Sequence, residues 1–473
     1  MRISSHALFL ALTADLQRHL PNVPEIYLPE TVRKVILPPN STLKSVASLS
    51  LLKAIVKKNS DDSTSSADTD AISLFTRMNE HCRDFKFNLF AQSEPVIHVL
   101  SRAKRLIEDW TCRSSGDFSF DLGYILSRGE FGPGASVLSS GSSFYHKVGS
   151  GPLSMTDDDL YSLYKESIRC CPTWVRAEYS RKHMFGRPHL VSGSKLATVP
   201  KDSKISRVIC TEPSLNMFVQ KGIASCLETV LRKSLHFDLA VQQFRNKRLA
   251  RKGSRDGSIA TIDLSSASDT ISVALCNFLI PSSLLVLLET ARSPKTTLPD
   301  GSVVDLHMIS SMGNATTFPL QTIIFSALAY ASYQVCGISV DLPSGSRDGN
   351  LGVFGDDLVV DTRVYDLLIA SLSACGFFPN VSKSYNTGLF RESCGGDYFD
   401  GHEVRGVYCK TLLTTHSRYS LINRLNRWSA FQKIPLTHTI GLLLRSVRLL
   451  TVPPWDSDTS GVKVPLDMAR NID

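Results

Sequence analysis

The stretch Leu351-Gly352-Val353-Phe354-Gly355-Asp356-Asp357-Leu358-Val359-Val360 sets two short apolar runs around a Gly-Asp-Asp core. That spacing predicts a β-hairpin with two carboxylates at its tip. Adjacent carboxylates repel each other and favour a cation. Magnesium takes oxygen ligands, commonly one or two carboxylates completed by substrate phosphates. The tripeptide alone is weak, because a solvated turn with two aspartates reads the same way. Its weight comes from what stands around it.

Upstream, residues 258–264 (SIATIDL) form a β-rich run that carries Asp263, 93 residues before Asp356. A strand-end aspartate beside a hairpin-tip pair is the carboxylate set of a two-metal site. One ion would lower the pKa of an attacking 3′-hydroxyl and the other would stabilise a leaving pyrophosphate. Asp263 and Asp356 are the stronger bridging ligands in this reading, with Asp357 third. Asp269, six residues beyond Asp263, is placed for a ribose hydroxyl rather than for the ions. The segment 310–317 (SSMGNATT) precedes an apolar-periodic stretch. Gly313 would let backbone approach a nucleotide, and Asn314 or Thr317 would help Asp269 meet the 2′-hydroxyl.

Residues 314–335 read as one long helix. Leu320, Ile323, Ile324, Ala327, Leu328 and Ala331 share a face, and Pro319 sits near the start, where a missing N–H matters least. A second helix is expected over 365–375, closed by Gly376. Beyond it, Lys383 is a candidate general acid for the pyrophosphate. The loop Pro200-Lys201-Asp202-Ser203-Lys204-Ile205-Ser206-Arg207 offers Lys201, Lys204 and Arg207 to a triphosphate.

Composition supports a polyanion partner. Lys and Arg number 52 against 44 Asp and Glu in 473 residues, a net +8. The excess is local: residues 181–255 hold 16 basic and 4 acidic side chains, which leaves the remainder at −4. Such a block neutralises phosphates. The 11 cysteines show no Cys-x-x-Cys spacing, which argues against a disulfide framework or zinc ribbon. Cys170, Cys171, His183 and His189 are close in sequence without the spacing of a known zinc finger. The apolar run 7–12 is short and reads as an amphipathic helix, and Arg445 and Arg448 interrupt 440–450, so no membrane partner is expected. Residues 59–70 and 138–151 read as loops, as does the turn-rich 293–301.

In order along the chain, these segments resemble the motifs of the RNA replicases of single-stranded RNA bacteriophages, the levivirus group that includes Q-beta and MS2. VPKDSKISRVICTEPSLNMFVQKG resembles fingers motif F, TIDLSSASDTIS motif A, SMGNATTFPLQT motif B and VFGDDLVV motif C. Residues 377–385 resemble motif D. FRESCG at 390–395 and FGPGAS at 131–136 resemble further family signatures. The likeness covers roughly residues 128–408. It implies an RNA-directed RNA polymerase with an α+β right-hand fold. The expected division is an N-terminal helical, fingers-associated region (1–115), fingers (116–257), palm (258–400) and a reduced helical thumb (401–473). The implied cofactor is Mg²⁺, with Mn²⁺ able to substitute. Template RNA and ribonucleoside triphosphates are the implied substrates. Host elongation factors Tu and Ts, an RNA-binding ribosomal protein and the cytoplasm of an infected bacterium are implied by resemblance only.

Two features depart from the family. Phe354 stands where tyrosine is usual, and only about 70 residues come after Gly401. Two other readings remain. A reverse transcriptase also carries an aromatic-x-Asp-Asp hairpin, but Asp269 invites the 2′-hydroxyl that such enzymes exclude. A non-catalytic RNA-binding protein explains the basic block and leaves the three aspartates without purpose. There is no Gly-Lys dipeptide for a Walker A loop and no Gly-x-Ser-x-Gly elbow.

Overall fold

The computed structural model describes residues 3–38, 40–57, 66–202 and 204–469. Its centre is a four-stranded antiparallel sheet in the order Phe378–Pro379, Ile259–Ser265, Asp357–Asp361, Gly352–Phe354. The alternation of a strand divides the middle run. Ala260, Ile262 and Leu264 enter the main core with Leu358 and Val360. On the opposite face Ile259 and Val359 meet Leu249 of the helix Gln242–Asp256. Thr261 and Asp263 lie with Ile259 on that second face.

The core side is closed by the helix Thr317–Val335, which packs against Glu94–Thr111, Ser214–Leu235 and Tyr365–Ala374. Buried side chains surround Thr317–Val335 on nearly every side, as befits a helix with few polar positions. The second face is roofed by Gln242–Asp256 and by the hairpin of Phe390–Ser393 and Gly396–Phe399. Arg391 of that hairpin is fully buried and ties it down, donating to the carbonyls of Ile259, Thr387, Gly388 and Phe390.

A second four-stranded sheet runs Ser206–Thr211, Ser194–Pro200, Lys295–Thr297, Val303–Asp305. Residues 293–301, expected as turn, therefore hold a strand, and Leu298 to Gly301 make the hairpin bend. The expected loop 138–151 includes one short helix, Phe144–Val148. Of the expected loop 59–70, residues 59–65 lie outside those described, and Ala67 to Asp70 already begin the helix Ala67–Asp84.

The first 115 residues, expected as one fingers-associated region, are shared among three neighbours. Leu8, Phe9, Leu12 and Leu16 of Ser5–Leu16, with Leu51, Leu52 and Ile55 of Leu43–Lys57, join Tyr419, Ile422, Leu425 and Leu443 in a separate core. Ala67–Asp84 packs on the second sheet, and Glu94–Thr111 on Thr317–Val335. The cause is apolar area, since Thr415–Gln432 and Thr437–Leu444 bury their apolar faces against the N-terminal helices. Asp15 fastens this joint. Its buried carboxylate accepts from His438 N and Nδ1 at 2.9 and 2.8 Å and from Thr439 N and Oγ1 at 2.8 and 2.7 Å, at the start of Thr437–Leu444. The basic tail is partly internal as well: Arg418 is buried and donates to the carbonyls of Leu412 and Ser446. Among the described residues no helix is long and apolar enough to cross a membrane.

Asp15→Ala strips four donors of their acceptor in a buried joint. The expected loss is about 3 kcal/mol of unfolding free energy, read by urea denaturation, with Asp15→Asn falling between the two.

Candidate active site

Antiparallel pairing sets Asp263 directly opposite Asp357, and Phe354 opposite Asp357 on the other side. Opposed residues project from the same face, so the two carboxylates stand together at the open end of the sheet. Asp356 occupies the turn between the strands. Gly355, at φ +61°, makes that turn possible. A Cβ there would also meet Phe318 Cε2 at 2.4 Å and Gln321 Nε2 at 2.7 Å. The turn thus lies hard against the first turns of Thr317–Val335. Gly355 N donates to Thr322 Oγ1 at 3.1 Å, and the Phe354 ring meets Phe318 edge-on at 4.8 Å. The phenylalanine in place of the family's tyrosine is an apolar lock between hairpin and helix.

Each carboxylate has its own surroundings. Asp263 Oδ2 accepts from Asn380 Nδ2 at 2.8 Å and from Lys383 Nζ at 3.4 Å. Burial pushes Asp356 above the ordinary carboxylate range; the charge of Asp263 adds to this, and Arg207 and Lys201 oppose it. Burial pushes Asp357 up to about 6, helped by Asp356 and Asp263 and opposed by the Cys394 N–H, which donates to Oδ1 at 3.1 Å. Burial lowers Lys383, but Asp263, Glu392 and Asp356 outweigh it and hold the ammonium above its usual value. Among the described residues no three Asp, Glu, His or Cys side chains form a preformed cage, these three included. The donor set is nevertheless all oxygen and crowded, which suits a hard cation that brings phosphate ligands with it.

Lys201 and Arg207 lie within electrostatic reach of Asp356, and Lys201 also of Asp263. Lys204 has other neighbours. It lies at the tip of the hairpin, in a cleft of about 300 Å³ lined by Ser5, His6, Pro29, Glu30 and Arg33. The hairpin rises along Ser194–Pro200 and returns along Ser206–Thr211, and at its tip Lys204 meets the N-terminal helix Ser5–Leu16.

Asp269 ends a short turn after the Asp263 strand and adjoins the 310–317 loop. Burial pushes its carboxyl up to about 6, against the Ser268 hydroxyl at 3.2 Å and the Met312 N–H. Asn314 is buried and uses Oδ1 to accept from Thr316 N and Oγ1 at 2.9 and 2.7 Å, while no described residue meets its Nδ2. Thr317 donates to Ser311 O at 2.8 Å, so its hydroxyl closes the loop and makes no bond with Asp269. Gly313 does serve a close approach, but to protein. A Cβ there would lie 2.0 Å from Cys210 O, and Cys210 N donates to Met312 O at 2.7 Å. The zinc alternative gains no support: Cys170 and Cys171 are exposed free thiols.

Three contributors escaped the motif reading. Asn380 and the Cys394 N–H bind two of the three carboxylates, and Glu392 sits within electrostatic reach of Lys383. Asn380 stands three residues before Lys383, a spacing that a short turn brings to one side. That was the available signal.

Asp357 allows a sign test. Its folded pKa lies above the unfolded value, so the ionised form opposes folding. That penalty is full above about pH 6 and fades as pH falls towards 4. Asp357→Asn keeps the acceptor for Cys394 and removes the charge. Without divalent ions it should be more stable than wild type at pH 8, by on the order of 2 kcal/mol, with the gain shrinking at pH 5. Urea denaturation at both pH values measures this, and a variant less stable at pH 8 contradicts it.

The profile of the "RNA replicase, beta-chain" family matches residues 49–453. The RNA-directed RNA polymerase beta chain of Enterobacteria phage fr is 38% identical over 268 residues, 56% of this chain and 46% of that protein. That of Escherichia phage MS2 is 38% identical over 261 residues, 54% of this chain and 45% of its own. The RNA-directed RNA polymerase subunit beta of Escherichia virus Qbeta is 40% identical over 257 residues, 54% of this chain and 42% of its own. The matches span less than half the length of these relatives. With its motifs in family order and the profile covering most of its length, the chain belongs to the RNA replicase beta-chain family.

Proposed function

We propose that the chain synthesises RNA on an RNA template from ribonucleoside triphosphates, replicating and transcribing a phage RNA genome inside a bacterial cell. The observation that carries this reading is the register that sets Asp263 opposite Asp357, with Asp356 in the turn between them. Asp263 and Asp356 would hold the divalent ions, with Asp357 as a third ligand steadied by the Cys394 N–H. Bound Mg²⁺, or Mn²⁺ in its place, supplies the charge that activates a 3′-hydroxyl and stabilises pyrophosphate.

The protein's own residues do the remaining work. Lys201 and Arg207 draw the triphosphate towards the carboxylates and neutralise the pyrophosphate as it leaves. Lys383, kept protonated by the acidic groups around it, gives that pyrophosphate a proton. Asp269 accepts from the ribose 2′-hydroxyl beside Asn314 Nδ2, and so selects ribonucleotides. Gly313 and Thr317 shape the loop that holds Asn314 rather than touching the nucleotide. Lys204, which lines a cleft with Ser5 and His6 of the N-terminal helix, would reach the triphosphate only from the hairpin tip. Association with elongation factors Tu and Ts and an RNA-binding ribosomal protein belongs to this reading by resemblance alone.

Copying of a defined RNA by the purified chain, with and without host extract, tests the proposal. Asp356→Asn should lower incorporation by about 1,000-fold or more while RNA affinity changes little. Equal activity in the two proteins would favour a binding protein. A preference for deoxyribonucleotides would point to reverse transcription.

A further inference from the structure

Of the three carboxylates, Asp263 alone has a cation within ion-pair distance among the described residues. Lys383 Nζ lies 3.4 Å from its Oδ2, and the two side chains are 41% and 24% exposed. Lys201 and Arg207 act on Asp356 only from further away. The ammonium therefore stands on a carboxylate that, on the function proposed above, must be free to bind metal.

The way Lys383 is held separates its backbone from its side chain. Phe378–Pro379 pairs with Ser265 and Leu264, Asn380 N donates to Asp263 O at 2.8 Å, and Tyr385 N donates to Thr261 O at 2.8 Å. Lys383 N donates to Asn380 O at 2.9 Å, and Asn380 Nδ2 takes Oδ2 of Asp263 at 2.8 Å. The turn is thus sewn to the Asp263 strand at both ends. The Lys383 side chain has one tie, the long and partly solvated ion pair. It can leave without disturbing the turn, whereas Asn380 cannot.

A divalent cation and an ammonium compete for the same oxygen. Both cannot sit on Asp263 Oδ2, because two like charges at that distance repel strongly in a half-buried site. An ammonium displaced from Asp263 stays close, since the turn fixes its Cα, and it keeps the attraction of Glu392 and Asp356. It is then free for the triphosphate that arrives with the metal.

We propose that Lys383 is the resident counter-cation of Asp263, displaced when a divalent ion binds and thereby released to the triphosphate. Metal binding and the positioning of Lys383 are one exchange of charge. Asn380 is the positioning residue that keeps the carboxylate and the turn in register while the exchange takes place. The device disfavours metal loading before nucleotide arrives. This inference rests on the reading of Asp263 as a metal ligand.

The test is Mn²⁺ binding to the purified chain without RNA or nucleotide, monitored by the electron paramagnetic resonance of free Mn²⁺. Lys383→Met keeps an unbranched side chain of similar length and removes its charge. It should bind Mn²⁺ about fivefold or more tightly than wild type, and Lys383→Arg should stay near wild type. Thermal denaturation without metal shows whether each variant is folded, and the partly exposed site of Lys383 tolerates both changes. Asp263→Asn separates the exchange from the metal reading beneath it. If it loses Mn²⁺ while Lys383→Met binds no more tightly than wild type, the exchange is wrong and the metal reading stands. If Asp263→Asn binds Mn²⁺ as wild type does, both are overturned.

Discussion

One register holds the site together: Ile259–Ser265 against Asp357–Asp361, with Asp263 opposite Asp357. A slip of one residue would turn every side chain of a strand to the other face. Asp263 would then point into the core occupied by Ile262 and Leu264, and a buried aspartate without a cation is strongly unfavourable. The apolar pattern that builds the core is therefore also what aims the carboxylates. Ala260, Ile262, Leu264, Leu358 and Val360 are buried on one face, and Asp263 and Asp357 emerge together on the other.

Register alone would leave the turn free to flex. The helix Thr317–Val335 removes that freedom through Phe318, Gln321 and Thr322, which crowd Gly355 and Phe354. The same helix begins at the loop that meets Asp269 through Met312. The Gly355–Asp356 turn and the loop beside Asp269 are thus both anchored on the start of one helix. Arg391 does the equivalent on the other face, pinning the hairpin that delivers the Cys394 N–H to Asp357. The carboxylates are held in this way, whereas the Lys383 side chain beside them is tied by a single partly exposed ion pair.

The palm was legible because its signals are local. Short apolar runs, an intervening Gly-Asp-Asp and a periodic helix are visible within a few residues, and the structure realises them as Ile259–Ser265, Gly352–Phe354, Asp357–Asp361 and Thr317–Val335. Interactions across long separations were not legible. No pattern in residues 5–16 announces that Asp15 caps a helix more than 420 residues away, and none announces that the N-terminal helices complete the C-terminal core. The neighbours of Lys204 were hidden for a related reason. A basic loop has the right composition along its whole length, but within one hairpin tip Lys201 and Arg207 act on Asp356 while Lys204 lines a cleft with Ser5 and His6. Gly313 shows that a glycine signals close approach without saying to what; here it is the Cys210 carbonyl.

On the function proposed above, Asp263, Asp356 and Asp357 hold divalent cations between them. Fe²⁺ substituted for Mg²⁺ generates radicals with ascorbate and peroxide that cut the backbone beside the ion, and mapping the fragments locates it. Cuts are expected next to Asp263 and next to Asp356 and Asp357, suppressed by excess Mg²⁺ and absent in Asp263→Asn. Cuts confined to other parts of the chain, or cuts at these positions that persist in Asp263→Asn, would contradict it.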